Sequence, residues 1–190
     1  LGRPLHVFDA NKLNGNLSIR MAHQEESLLA LDGKNYDLNK DILIITDDSN
    51  PVSIAGVMGG AKSACDENTT EMFLESAYFD PSGIRKTSRT LGLSSDSSYR
   101  FERGVDPKGA NFAALRAIDL ILQIAGGELV GPFIQTGSEP STEQEIKLNP
   151  QFIRDIAGFD IPDQRIRQIF EALECKVTGG DDEWVVHVPS

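Results

Sequence analysis

Six short apolar runs crowd the first eighty residues, each closed by turn-forming residues, and this punctuation limits the fold more than any other feature. Leu17, Ile19 and Met21 alternate with Ser18 and Arg20, the period-two pattern of a half-buried strand. Residues 28–31, then Asp32-Gly33, then residues 35–38 predict a β-hairpin, because Asp-Gly tolerates the positive φ of a tight turn. Residues 41–46 form a β-branched run suited to a buried strand. Residues 52–56 form another, leading into Val57-Met58-Gly59-Gly60, and residues 71–79 supply the sixth. Strands this short and closely spaced favour a barrel or sandwich over a parallel sheet, whose strands need long crossovers.

Helix signals come afterwards. Asp80-Pro81 places an N-cap acceptor before a proline at the first helical position, so a helix should run from there towards Arg89 or Leu91. Asp106-Pro107 repeats the signal. Phe112, Leu115, Ile118 and Leu122 then form one stripe and Ala110, Ala114, Ala117 and Ile121 another, which predicts a well-buried helix of about four turns closed by Gly126-Gly127. From Gly137 to Glu145 there is no apolar residue, and residues 138–145 are predicted as a linker. A small unit follows over 146–190: a short helix over 150–157 ended by Gly158, an amphipathic helix over 162–174, and a hairpin flanking Gly179-Gly180. Helix, helix, hairpin suggests a winged-helix-like module, and about 45 residues is a size at which a single core is marginal.

The net charge of −11 argues against a freestanding nucleic-acid binder, which is normally basic, but not against a local contact patch. Such a patch exists: Arg85, Lys86, Arg89, Arg100 and Arg103 fall close together, with only Asp96 and Glu102 as acids among them. Helical spacing puts Arg85 and Arg89 on one face, available for an anionic partner, while Arg100 and Arg103 suit bracing through Glu102 and Asp106. Cys65 and Cys175 match no metal-ligand spacing and the three histidines are scattered, so no structural metal site is expected. Two lone thiols fit a reducing cytosol. No apolar run reaches the ~20 residues of a membrane span, and no basic-then-apolar leader opens the chain. A start at Leu1 and a stop directly after a strand-like run are expected of a fragment with a truncated second module.

Several residues carry a structural and a functional reading. Gly56-Val57-Met58-Gly59-Gly60 is neither a P-loop nor a dinucleotide fingerprint; it is a tight turn or a backbone approach to a ligand. His6, among apolar neighbours, is a satisfied core residue or a neutral donor or acceptor in a pocket. Glu75 has apolar flanks, and an inward carboxylate needs a partner or a task. Ser94-Ser95-Asp96-Ser97-Ser98 is a hydroxyl-rich loop, without the Gly-x-Ser-x-Gly of a serine hydrolase.

Four segments in order, Gly2-Arg3-Pro4-Leu5-His6-Val7-Phe8-Asp9, Ala55-Gly56-Val57-Met58-Gly59-Gly60, Leu74-Glu75-Ser76-Ala77-Tyr78-Phe79-Asp80-Pro81 and Tyr99-Arg100-Phe101-Glu102-Arg103-Gly104-Val105-Asp106-Pro107, resemble the family of bacterial phenylalanyl-tRNA synthetase β subunits. The resemblance implies an α+β fold: an editing domain over 1–137, built as a closed β-barrel with packed helices, then the start of a winged-helix-like module. It implies hydrolysis of tyrosine mischarged onto the phenylalanine tRNA, with an editing pocket formed by His6, Gly56, Glu75, Ser95 and Ser97 and no protein nucleophile. Ser95 stands where the family often has threonine and Ser97 where alanine is common. Arg85 and Arg89 become candidates for tRNA contact. No metal or cofactor is expected in this segment; ATP and magnesium serve the whole enzyme. The implied partners are the tRNA for phenylalanine and an α subunit in an α2β2 heterotetramer, in the cytoplasm, without membrane or DNA. Two other readings compete: a non-catalytic structural or RNA-binding module of the same synthetase, and an unrelated small-molecule-binding barrel using Gly56 to Gly60.

Overall fold

The computed structural model describes residues 2–137, 144–180 and 183–190. The chain divides into two compact units, Leu1–Gln135 and Thr136–Ser190. The predicted linker lies largely outside the described residues, except Gln144 and Glu145, which are already strand.

The first unit opens with β1 (His6–Asp9), β2 (Ser18–Met21), β3 (Ser27–Leu29), β4 (Asn35–Asp37), β5 (Leu43–Thr46), β6 (Pro51–Ile54), β7 (Met58–Gly59) and β8 (Met72–Glu75). All six predicted strands exist, β8 in shortened form. The sequence reading missed β1 and β7, the first read only as a motif and the second only two residues long. A four-stranded antiparallel sheet has the order β2-β5-β6-β7, and β3-β4 and β1-β8 are separate antiparallel ribbons. The β3-β4 hairpin turns at Asp32-Gly33, with Gly33 at φ 80°, and its end joins β7 through Leu31 N to Gly59 O at 3.0 Å and Ala61 N to Leu29 O at 2.8 Å. The expected closed barrel is not formed. Strands of two to four residues make few ladder bonds, and among the described residues no sheet returns to pair with its own first strand.

The core gathers around β5 and β6, in which Ile44, Ile45 and Thr46 and Val52, Ser53 and Ile54 are buried on both faces. Phe8, Ile44 and Ile54 are fully buried and Ile42 and Val57 nearly so, joined by Ile84 and Phe101 from the helices. Each such side chain contributes roughly 1.5–3 kcal/mol of burial. The chain leaves β8 after Glu75, and Phe79 enters this core edge-on to Phe101, ring centroids 5.0 Å apart.

Helix α1 (Pro81–Leu91) starts and stops as its sequence signals demand: Asp80 accepts from Gly83 N at 2.8 Å, and Gly92 closes the helix at φ 60°. Helix α2 (Asp96–Phe101) corrects the reading of residues 94–98 as a loop. Ser95 caps it, accepting from Ser98 N at 3.0 Å while Ser95 N donates to Ser98 Oγ at 2.9 Å. A serine at the reciprocal capping position satisfies the same donors as the usual Glu or Gln. Helix α3 (Gly109–Ala125) begins two residues beyond the proline, because Asp106 accepts from Lys108 N and forms a turn first. It is not the buried helix expected. Only Ala113 and Ala114 are buried within the unit, whereas Phe112, Leu115 and Ile124 are exposed.

The second unit contains β9 (Gln144–Leu148), α4 (Pro150–Ala157), α5 (Asp163–Ala172), β10 (Lys176–Gly179) and β11 (Trp184–Val188). The sequence reading of helix, helix, hairpin omits β9, whose polar start reads as linker. β9 pairs along β11, Val186 opposite Ile146, completing a three-stranded antiparallel sheet in the order β10-β11-β9. Trp184 is buried beneath the Arg167 guanidinium, 4.1 Å from its ring centroid.

Candidate functional site

Antiparallel pairing of β1 with β8 sets His6 directly opposite Glu75 and Phe8 opposite Phe73. Opposed residues share a face, so once Phe8 enters the core, His6 and Glu75 turn inward as well. Phe8 meets the His6 ring edge-on at 4.4 Å. His6 Nε2 and Glu75 Oε2 are buried and have no hydrogen-bond partner among the described residues. A buried polar atom without a partner costs about 1–3 kcal/mol, so two at one place call for a ligand or water. Burial lowers the His6 pKa and keeps the imidazole neutral, and it pushes the Glu75 carboxyl up to about 7.

The second wall is the turn between β6 and β7. Gly56 lies at φ 67°, and a side chain there would meet the Phe79 ring at 2.6 Å. This glycine is required by its backbone conformation and by the core behind it. At Gly59 a Cβ would overlap His6 Nε2 at 2.7 Å, so glycine there makes room for the imidazole.

The third wall is the start of α2. Ser95 Oγ donates to Val57 O at 2.5 Å and Ser97 Oγ to Gly56 O at 2.9 Å. These two bonds fasten the helix to the glycine turn. Both hydroxyls spend their single proton on the protein and offer only lone pairs elsewhere.

His6, Gly56, Glu75, Ser95 and Ser97 all line one cavity of about 230 Å³. The fold thus brings together all five pocket residues named from the sequence. It adds Leu5, Leu31, Gly59, Asp96 and Phe101 to the lining. Gly59 and Asp96 lie inside motifs already noted, but no sequence pattern marks Leu31, which arrives only through the β3-β4 hairpin.

The basic cluster lies apart from this lining. Arg85 is exposed and donates to Glu102 O at 3.0 Å; Arg89 is exposed and its side chain makes no hydrogen bond or ion pair among the described residues. Arg103, just beyond α2, braces the end of that helix, donating to Tyr99 O and Glu102 Oε1 and stacking 3.5 Å above the Tyr99 ring. Arg100 reaches Gly2 O at 3.5 Å. Neither pairs with Asp106, which bonds to Lys108 N instead. Among the described residues, no group of three or more His, Cys, Asp or Glu side chains is arranged to hold a metal, and no helix is long and apolar enough to cross a membrane.

Residues 1–126 match the model of the B3/4 domain and residues 146–190 that of the tRNA synthetase B5 domain. The chain is 43% identical over its whole length to the phenylalanine–tRNA ligase beta subunit of Halalkalibacterium halodurans, of which it covers 24%. It is 44% identical over 94% of its length to that of Cereibacter sphaeroides, covering 22% of it. The chain therefore spans about a quarter of the length of these curated relatives. A solved N-terminal fragment of the phenylalanyl-tRNA synthetase beta-subunit from Pyrococcus horikoshii aligns over 97% of this chain and 53% of that one, at 14% identity and a TM-score of 0.42, too loose a likeness to carry an argument. With a B3/4 model matched over most of its residues, a B5 model over 146–190 and ligase beta subunits similar along its length, the chain belongs to the B3/4 domain family.

Proposed function

We propose that this chain carries the hydrolytic editing site of a phenylalanine–tRNA ligase and removes tyrosine mischarged onto the phenylalanine tRNA. The observation that carries this reading is the pair of buried, partnerless atoms, His6 Nε2 and Glu75 Oε2, meeting in one small cavity. Tyrosine differs from phenylalanine by one hydroxyl, which both donates and accepts. A phenol between these atoms gives each its missing bond; a phenyl ring leaves both unpaired. Sites of this kind reject the analogue lacking the hydroxyl by up to about 10⁴–10⁵. Glu75 serves in either protonation state, as acceptor when ionised and as donor when protonated, with the neutral His6 ring taking the complementary role.

Hydrolysis needs a positioned water rather than a protein nucleophile. Water adds to the ester carbonyl, the bond to the ribose oxygen breaks, and that oxygen leaves with a proton. Gly56 supports the substrate with main chain along one wall, and Ser95 and Ser97 hold that wall in place. The neighbouring ribose hydroxyl of the tRNA end assists the water.

In this reading the editing domain spans 1–137 and the module over 146–190 is winged-helix-like. Arg85 and Arg89 contact tRNA, and the subunit works in the cytoplasm with an α subunit in an α2β2 assembly. ATP and magnesium belong to the charging reaction, and no residue of this chain is assigned to them. Tyrosyl-tRNA deacylation by the full-length ligase carrying Glu75→Ala is the test. Loss of deacylation with phenylalanine charging intact supports the reading, and unchanged deacylation overturns it.

A further inference from the structure

Resting on that reading, the charge of the cavity bears on how substrate is told from product. Its lining includes two carboxyl side chains, Glu75 and Asp96, and no lysine or arginine. Glu75 is the enclosed one. Asp96 is exposed, which puts it at the mouth, and its side chain makes no hydrogen bond or ion pair among the described residues. Asp96 sits in the first turn of α2, where an acid also suits the helix dipole. That explains its tolerance there but not its place on the cavity. The Ser95 and Ser97 hydroxyls add no donor to it: their protons go to Val57 O and Gly56 O.

Such a lining distinguishes two forms of the same amino acid. Esterified to RNA, an amino acid near the cavity bears one charge, its ammonium. Once free it is a zwitterion, and its carboxylate finds no cation here. We propose that Asp96 is a specificity-determining residue that draws the α-ammonium of an aminoacyl ester to the cavity and repels the carboxylate of the free amino acid. The acid formed by hydrolysis gives its proton to solvent, and the resulting carboxylate appears beside Asp96 with nothing to neutralise it. Product leaves, and free amino acid in the surroundings does not block the site. The discrimination comes from a repulsive element as much as from an attractive one.

Equilibrium binding of four compounds to the full polypeptide tests this: L-tyrosinamide, L-tyrosine, L-phenylalaninamide and L-phenylalanine, at about pH 6.5, below the usual α-amino range. The amide of each pair should bind at least about tenfold more tightly than its acid. Added salt should narrow that ratio, because Asp96 is exposed and its field is screened. Asp96→Asn should cut the ratio at least about threefold, weakening the amide and tightening the acid, and Asp96→Lys should invert it. An acid binding as well as its amide, or a ratio unchanged in Asp96→Asn, overturns the proposal. The tyrosine-to-phenylalanine ratio reports separately on phenol recognition. If that ratio is unity while amides still outbind acids, the editing reading fails and the role of Asp96 stands. Binding of neither amide overturns both.

Discussion

His6 and Glu75 occupy directly opposed positions of the β1-β8 pair, and each ends in a buried polar atom with no partner among the described residues. The ladder fixes the spacing of their Cα atoms and starts both side chains on the face that also seats Phe8. The protein keeps an unsatisfied donor–acceptor pair in place with the rigidity of its sheet.

The Glu75 carboxyl makes stability depend on pH. Burial raises its pKa from 4.5 to about 7, so the folded chain retains a proton that the unfolded chain releases. The stability tied to that proton is fully present below 4.5 and is lost as the pH rises through about 7. At about 1.4 kcal/mol per pH unit, the loss reaches roughly 3 kcal/mol. Urea unfolding midpoints should therefore fall across this window in the native chain. In Glu75→Gln the fall should disappear, leaving the rise expected from His6, whose pKa burial lowers, and this variant should be the more stable protein at pH 8. A native-like slope persisting in that variant counts against the assignment.

Gly59→Ala should disable the pocket from behind. The added methyl overlaps the His6 imidazole, which must swing away or push β1 from its partner. We expect a destabilisation of about 1–3 kcal/mol, typical of overpacking, together with loss of tyrosyl-tRNA deacylation in the full-length ligase. Deacylation at the native rate would show that His6 need not hold its position.

Ser95 and Ser97 should differ in cost. Ser95 both caps α2 and donates to Val57 O, whereas Ser97 makes only the bond to Gly56 O. Ser95→Ala should destabilise the chain by about 1–2 kcal/mol, the usual cost of a lost N-cap. Ser97→Ala should cost about 1 kcal/mol and leave the wall largely in place. Chemical denaturation of the two variants ranks them, and the opposite order would mean that the capping bond is not what holds the helix.

Glu26 and Arg20 form a two-pronged pair at 2.7 and 2.9 Å, with His23 N also donating to Glu26. Hydrogen bonding from Arg20 is the largest cause that lowers the Glu26 pKa from 4.5 to about 2. Its stabilisation is present above 4.5 and is lost as the pH falls through about 2. The pair is partly exposed, so solvent screening holds the contribution to about 1 kcal/mol. Glu26→Gln should cost about that much at pH 7 and nothing measurable at pH 2, in thermal melts at the two pH values.

Arg89 separates RNA contact from internal bracing. Because it has no partner within the described structure, Arg89→Ala should leave stability within about 0.5 kcal/mol. If Arg89 meets a phosphate, the full-length ligase should bind tRNA more weakly, and the salt dependence of binding should fall by about one counterion. Arg85→Ala tests the same face, with the added loss of its bond to Glu102 O. Identical salt slopes for native and Arg89→Ala proteins would remove Arg89 from the interface.

Local chemistry accounts for what could be read in advance. The Asp80-Pro81 start of α1, the Asp32-Gly33 hairpin and the glycine end of α4 rest on contacts within a few residues. The elements that escaped reading lack such signals. β7 is two residues long, α2 hides its cap in a serine run, and β9 begins with polar residues that only pairing with β11 makes strand-like. The exposure of α3 escaped for another reason: its apolar stripes show which faces could be buried, not which neighbour is there to bury them.

Residue types, alternation and turn chemistry thus determined most strands and four of the five α-helices among the described residues, since each depends on short-range sterics. Tertiary structure alone decided that the strands stop short of a closed barrel, that Ser95 and Ser97 turn their protons to the glycine turn, and that Leu31 and Asp96 join the cavity. Those outcomes depend on long-range pairing and on which buried atoms find partners. A linear pattern can name candidates for burial, but only the packed chain fixes which polar atoms are left without a bond.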